Sequence, residues 1–293
     1  MFLLRKLRQV TVIGLGLLGS SITLVVSKGI SGLKAVGYSH RQSTRERARD
    51  LEVADVVFDD ILSSVSDADI VILATPICTF EQIFKQISPG LPDGCIVTDV
   101  GSTKVLAHRW ARKCLGQNVH YVGSHPIAGS EQRGVDFARD DLFYDAMCLV
   151  TAENQTDAAA VKEVESFWTR LGCRVSVMSP SQHDKILGNV SHVPHAAAAA
   201  LVNASSESDL KFSGTGFVDT SRVASGPANV WADIFYTNSV NVCRGLDRTV
   251  SELIKLRDAI KGRDKQNIER LLEKARSKRA RLIDYKMKKK EIT

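Results

Sequence analysis

The stretch "QVTVIGLGLLGSSITLVVSKG", residues 9–29, constrains the fold more than any other part of this chain. A β-branched apolar run, Val10 to Ile13, leads directly into Gly14-x-Gly16-x-x-Gly19 and then into an apolar helical pattern, and a second strand pattern, "LKAVGY", follows. Glycine pairs are common and a lone GxGxxG says little. Between a strand and a helix it points to a dinucleotide-binding βαβ unit. The logic is steric and electrostatic. Gly14 allows the tight turn, Gly16 lets backbone N–H groups reach a pyrophosphate, and Gly19 lets helix and strand pack closely, while the helix N-terminus attracts negative charge. Gly14, Leu15, Gly16, Leu17, Leu18 and Gly19 are therefore the expected cofactor loop.

Further strand patterns follow at 69–76 ("DIVILATP"), 95–102 ("CIVTDVGS"), 119–126 ("VHYVGSHP") and 146–152 ("AMCLVTA"), with helical stretches between them. One more helix and strand end near residue 179. From Ser181 the apolar spacing turns helical and stays so. The fold class expected is α/β: a Rossmann doubly wound parallel sheet over residues 1–179, followed by an all-α substrate-binding and dimerisation domain over 180–293. A length of 293 residues with 44% hydrophobic and 25% charged residues suits two packed domains and argues against disorder.

The net charge of +6 suggests a nucleic-acid partner until its position is considered. Residues 274–290 carry nine Lys or Arg against one Asp, so the rest of the chain is close to neutral. Tyr285 is the one aromatic residue among those charges, which fits a solvated basic helix end rather than a nucleic-acid surface. The six cysteines are scattered without a CxxC pair, as in a reduced cytoplasmic protein with neither disulfide framework nor zinc site. The basic residues interrupting the first apolar run argue against a signal peptide, and no apolar span reaches membrane length. Neither metal, nucleic acid nor membrane is expected as a partner.

An enzyme that takes NAD usually carries an acid at the end of the second strand, for the ribose 2′-hydroxyl. Here the chain reads Tyr38-Ser39-His40-Arg41-Gln42-Ser43-Thr44. Arg41 can pair with a 2′-phosphate, and Ser39, His40, Ser43 and Thr44 can donate to it, so NADP is the expected cofactor. Ligands in such sheets sit beyond the carboxyl ends of the strands, where Thr75, Pro76, Ser102 and His125 fall.

The motifs "GSHPIAGSE", "HDKILGNVSHVPH" and "GFVDTSRVASGPANVWADIF" together resemble the prephenate and arogenate dehydrogenases of tyrosine biosynthesis, and the resemblance spans essentially the whole chain. It implies oxidative decarboxylation of a cyclohexadienyl substrate to a phenol by a homodimer. It also implies His125 as the base on the 4-hydroxyl and Ser102 as a serine that bonds that hydroxyl or orients the histidine. Arg222 would hold a substrate carboxylate, with Ser191, His192, His195 and Trp231 lining the same pocket. The chain departs from the family in one place, "SGTGF", where Thr215 separates Gly214 from Gly216. A pocket for arogenate would set a carboxylate, Asp219 or Asp233, against the substrate ammonium. Two other readings compete. A β-hydroxyacid-type dehydrogenase would rely on a lysine such as Lys185, and a non-catalytic NADPH sensor would need only the cofactor loop.

Overall fold

The computed structural model describes residues 7–129 and 132–289. Ser130 and Glu131 of the "GSHPIAGSE" motif, the first six residues and the end of the basic tail from Lys290 lie outside the described residues. Six parallel strands form the main sheet: β1 (Gln9–Ile13), β2 (Lys34–Tyr38), β3 (Val56–Phe58), β4 (Ile70–Leu73), β5 (Ile96–Asp99) and β6 (His120–Tyr121), in the order β3-β2-β1-β4-β5-β6. Every residue of β1 and β4 is buried, as a strand covered on both faces requires. Alternation then deals the side chains to two cores. Val10, Val12, Ile70 and Ile72 pack with Ile22 and Val26, whereas Ile13, Val71 and Leu73 pack with Phe80, Phe84 and Val97.

The covering helices are α1 (Leu17–Gly29), α2 (Gln42–Asp50), α3 (Ile61–Val65), α4 (Phe80–Ile87), α5 (Val105–Cys114) and α6 (Ala158–Arg170). Asp60 and Asp157 cap α3 and α6 by accepting backbone N–H bonds in their first turns. The order of strands reverses between β1 and β4, and the crevice beyond their carboxyl ends is where a ligand of such a sheet belongs.

The structure corrects the expected parallel sheet in its last third. Residues 119–126 do not make one strand. Val122 N–H bonds the Val97 carbonyl at 3.0 Å, but the Ser124 N–H then bonds the side chain of Asp99 at 3.1 Å instead of a neighbouring strand. A Cβ at Gly123 would stand 2.5 Å from Thr151 Oγ1, so a glycine lets the chain leave β5 at this point. It continues as β7 (Gly123–Pro126) in a separate three-stranded sheet, antiparallel to β8 (Met147–Thr151), which is parallel to β9 (Arg174–Met178). His125 pairs with Leu149 in that second sheet.

After Ser179, whose hydroxyl caps α7 (Pro180–Leu187), the described chain is helical. A π turn at Gly188–His192 joins α7 to α8 (Val193–Ala204), and α9 (Glu207–Leu210), α10 (Thr215–Ser221), α11 (Ala228–Thr237), α12 (Ser239–Lys261) and α13 (Lys265–Lys288) follow. Residues through Asn241 form one compact unit and Val242 onward another. Within the second, Asp264 caps α13 by accepting Asn267 N–H at 3.0 Å, and the basic end of α13 is a solvated helix with pairs such as Lys288 to Asp284. No helix among the described residues is long and apolar enough to cross a membrane.

Candidate active site

At the carboxyl end of β1, Gly14 has φ +106° and donates its N–H to the Tyr38 carbonyl of β2. That left-handed turn is open to glycine and strained for other residues. A Cβ on Gly19 would lie 1.9 Å from the Gly14 carbonyl oxygen, so the turn and the first turn of α1 are in direct contact. Gly16, by contrast, has nothing within 4 Å of where its Cβ would be, and it precedes α1 with neither a side-chain cap nor an acid in the first turn. An open glycine face before uncapped N–H groups is what a pyrophosphate fits. Leu15 is buried beneath Gly37, and Leu17 and Leu18 pack against the core on one side of the loop.

The β2 loop holds no acid. Ser39 is buried, His40, Arg41 and Ser43 are exposed, and Thr44 is half-buried. Arg45, a residue the sequence reading passed over, fixes this loop: its Nη1 donates to the Ser39 and His40 carbonyls at 2.7 and 3.2 Å while its Nε pairs with Asp59. At the end of β4, Thr75 Oγ1 meets Thr79 Oγ1 at 2.8 Å, and Thr75 packs against Gly14. Pro76 starts the turn that follows.

Beside these ends, the last residue of β5 organises the next loop. Asp99 is fully buried and ion-paired with the equally buried Lys104. Asp99 also accepts from Tyr121 OH at 2.9 Å, Gly101 N–H at 2.9 Å and Ser124 N–H at 3.1 Å, and Lys104 Nζ donates to the Ser124 carbonyl at 2.6 Å. The two loops bearing Ser102 and His125 are thus tied to one buried charge pair. Ser102 itself is half-buried in the bend between Gly101 and Thr103.

The orientation of His125 comes from the helical half. His125 Nδ1 lies 2.9 Å from His183 Nε2, and His183 Nδ1 lies 2.8 Å from Asp184 Oδ1. Asp184 in turn accepts the Lys104 and Val105 N–H groups at 2.8 and 2.9 Å, capping α5 from outside. Burial pushes the His125 imidazole well below the usual histidine range, and the neighbouring His183, Lys104 and His192 push it the same way. It is therefore neutral at physiological pH, with one ring nitrogen able to accept a proton. His183 and Asp184 are the residues that motif matching alone did not assign; the quoted "HDKILGN" contained them, yet nothing local in a sequence shows that a helix residue 58 positions later touches His125.

The other candidates from the helical half gather in a second group. His195 stacks on Trp231 with ring centroids 3.5 Å apart and planes 11° from parallel, and it bonds the Val223 backbone beside Arg222. Its Nδ1 is buried and carries no hydrogen bond among the described residues, a vacancy for a ligand's polar atom. Gly226 closes this group: a Cβ there would fall 2.3 Å from Trp231 Nε1 and 2.9 Å from His195 Cε1. Gly214 and Gly216, around the Thr215 departure, have nothing near their absent Cβ atoms, so the tight backbone approach falls at Gly226.

His192 is buried, faces Trp231 edge-on at 6.2 Å and meets Asn238 Nδ2 at 3.1 Å; Asn238 also donates to the Asp184 carbonyl at 2.7 Å, which links this group to His125. Ser191 is half-buried and Arg222 exposed. Cys78 hydrogen-bonds Asp233, and Asp219 is exposed on α10. Lys185 is exposed although His183 and Asp184 before it are buried.

Comparison with known proteins identifies the family. A family model described as prephenate dehydrogenase, nucleotide-binding domain, matches residues 26–177, and one described as prephenate dehydrogenase, dimerization domain, matches residues 179–274. A cyclohexadienyl dehydrogenase of Zymomonas mobilis is 32% identical over 264 residues, 88% of this chain and 90% of the relative. A prephenate dehydrogenase from Aquifex aeolicus, solved with hydroxyphenyl propionate and NAD+, superposes with a TM-score of 0.87 at 31% identity, covering 95% of this chain and 99% of that one. Synechocystis arogenate dehydrogenase superposes with a TM-score of 0.80 at 28% identity, covering 94% and 99%.

Proposed function

Because the chain belongs to the prephenate dehydrogenase family, we propose that it oxidatively decarboxylates prephenate to 4-hydroxyphenylpyruvate and arogenate to tyrosine, with NADP as the dinucleotide. The observation that carries this reading is a neutral His125 on β7, joined through His183, Asp184 and Asn238 to the His192, His195 and Trp231 group. In this reading residues 1–179 bind the dinucleotide, with Gly14 to Gly19 around the pyrophosphate, and residues 180–293 bind the substrate and pair two copies. A bound nicotinamide supplies the hydride acceptor.

His125 Nε2 accepts the 4-hydroxyl proton as the C–H bond at the same ring carbon breaks, and Ser102 orients that hydroxyl. Loss of carbon dioxide from the opposite ring carbon leaves its bonding electrons in the new aromatic ring. Aromatisation supplies much of the driving force, so the protein mainly orients and deprotonates. Arg222 holds a substrate carboxylate with its planar fork, and His195 Nδ1 meets another polar atom of the substrate.

The NADP preference rests on the β2 loop, which lacks an acid and exposes Arg41. The homodimer is supported by the match to a dimerization domain and by apolar side chains exposed along α12 and α13, among them Val250, Leu253, Ile254 and Leu272. Six free cysteines fit a cytoplasmic enzyme.

Absorbance at the reduced-nicotinamide band, with each substrate against NAD and NADP, tests the proposal. Turnover of both substrates with a kcat/KM favouring NADP supports it, and Arg41→Ala should narrow that gap. Equal kcat/KM for the two dinucleotides refutes the cofactor choice, and a prephenate value more than about 10³-fold below that for arogenate makes the enzyme a dedicated arogenate dehydrogenase. His125→Asn should lower kcat by about 10²-fold or more.

A further inference from the structure

We propose that His183 and Asp184 form a closed proton relay behind His125, fixing it as the Nδ1–H tautomer and storing the proton it takes until that proton is returned to the product. This rests on the activity proposed above. The direction of the relay follows from donors and acceptors. Asp184 accepts two backbone N–H groups, from Lys104 and Val105, so its carboxylate is an acceptor to its third partner as well. His183 Nδ1 must therefore carry the hydrogen in its 2.8 Å bond to Asp184 Oδ1. In a neutral His183 the other nitrogen, Nε2, is then a lone pair, and the 2.9 Å bond to His125 Nδ1 is made only if His125 donates. His125 Nε2 is left bare, which is what a base on a hydroxyl needs.

The same contacts say where positive charge rests once a proton arrives. His125 has the cationic Lys104 nearby together with His183 and His192, and every one of these disfavours its charged form. Burial, and with it Lys104, holds His183 below the usual histidine range too, but its hydrogen bond to Asp184 and the nearby Asp99 oppose that shift, as no carboxylate does for His125. When an O–H bond breaks and a His125 Nε2–H bond forms, the His125 Nδ1–H can therefore pass to His183 Nε2, giving an imidazolium paired with Asp184.

The proton balance calls for storage rather than release. A cyclohexadienyl alcohol that loses a hydride and carbon dioxide becomes a phenol of the same hydroxyl count, so the proton removed from oxygen goes back to the phenolate. His183 and Asp184 are 0% and 1% exposed, which suits a store with no exchange to solvent. They act through His125, which His183 contacts, as positioning residues.

Nitrogen-15 NMR of the imidazoles, without substrate, reads the tautomer directly. His125 is expected as Nδ1–H in the wild-type protein and as Nε2–H, the form free histidine prefers, in His183→Phe. Asp184→Asn keeps an acceptor oxygen but loses the charge, and provides a second variant if the phenylalanine does not fold. Both variants should lose about 10² to 10⁴ in kcat, the range for a base held in the wrong tautomer, with KM values changed less than about threefold. An Nε2–H His125 in the wild-type protein overturns the relay, as does wild-type kcat in both variants. The NMR measurement needs no turnover, so failure of the wild-type enzyme on both substrates would refute the proposed activity and leave the tautomer result to decide the relay.

Discussion

Replacing Lys104 by Met removes one ammonium and keeps nearly the whole apolar stem, so it isolates the buried charge. In the native protein that ammonium is fully enclosed, paired with Asp99 and bonded to the Ser124 carbonyl at 2.6 Å. The substitution leaves a carboxylate in the interior whose remaining donors are Tyr121 OH and the Gly101 and Ser124 N–H groups. Breaking a buried pair by removing one partner costs about 3–5 kcal/mol, and three surviving donors put this case near the lower end, about 3 kcal/mol. At roughly 2–4 °C per kcal/mol for a chain of this size, the melting temperature should fall by about 6–12 °C in calorimetry or circular dichroism.

The same substitution has a kinetic sign. Burial is what chiefly holds the His125 and His183 imidazoles below the usual range, and the positive charge of Lys104 adds to it. His125 must be neutral to accept a proton, so kcat/KM falls as pH drops through its pKa. Without the cation that pKa rises, and the acid limb of the profile should move to higher pH. His183, His192 and the buried carboxylates of Asp99 and Asp184 remain in place and set how far. A melting temperature within about 2 °C of wild type, or an acid limb that moves to lower pH, would refute the reasoning.

Gly226→Ala should raise KM more than it lowers kcat and cost about 1–3 kcal/mol of stability, because its Cβ would lie 2.3 Å from Trp231 Nε1 and must part the Trp231–His195 stack; tryptophan fluorescence and steady-state kinetics read both effects. Gly19→Ala drives a methyl to 1.9 Å from the Gly14 carbonyl and should weaken dinucleotide binding at least about 10-fold in a fluorescence titration, equivalent to roughly 1.4 kcal/mol. An affinity within twofold of wild type would count against the glycine contact as the organiser of the loop. Arg222→Ala should raise KM by roughly 30- to 1000-fold, the loss of about 2–4 kcal/mol of charge-assisted binding, and an unchanged KM would remove Arg222 from the substrate site.

Much of this was legible because it is local. The glycine loop between strand and helix, the strand ends followed by Thr75 and Ser102, and the change to helical spacing after residue 179 are all short-range patterns. What the sequence hid is long-range. The break after Val122 depends on Asp99 taking the Ser124 N–H from 25 positions away, and an apolar run carries no mark of the sheet it will join. The three-residue β3 is too short to show a period. His183 and Asp184 read as an ordinary polar pair on a helix until the fold sets them behind His125. Arg45 was legible only as a surface arginine, although it holds the Ser39 and His40 carbonyls of the loop after β2.

The break at Val122 also divides what this protein can change from what it must keep. The loop proposed to distinguish one dinucleotide from another hangs from β2, on the six-stranded sheet, whereas His125, the proposed base, stands on β7 of the other sheet, held by Asp99 and His183. If the β2 loop selects the dinucleotide, substitutions at Arg41 or Ser43 act on a strand separated by β1 and β4 from β5, whose Asp99 is the residue of that sheet that reaches β7. A laboratory lineage selected to exchange one dinucleotide for the other should collect its changes around residues 39–45 and leave the histidine pair untouched.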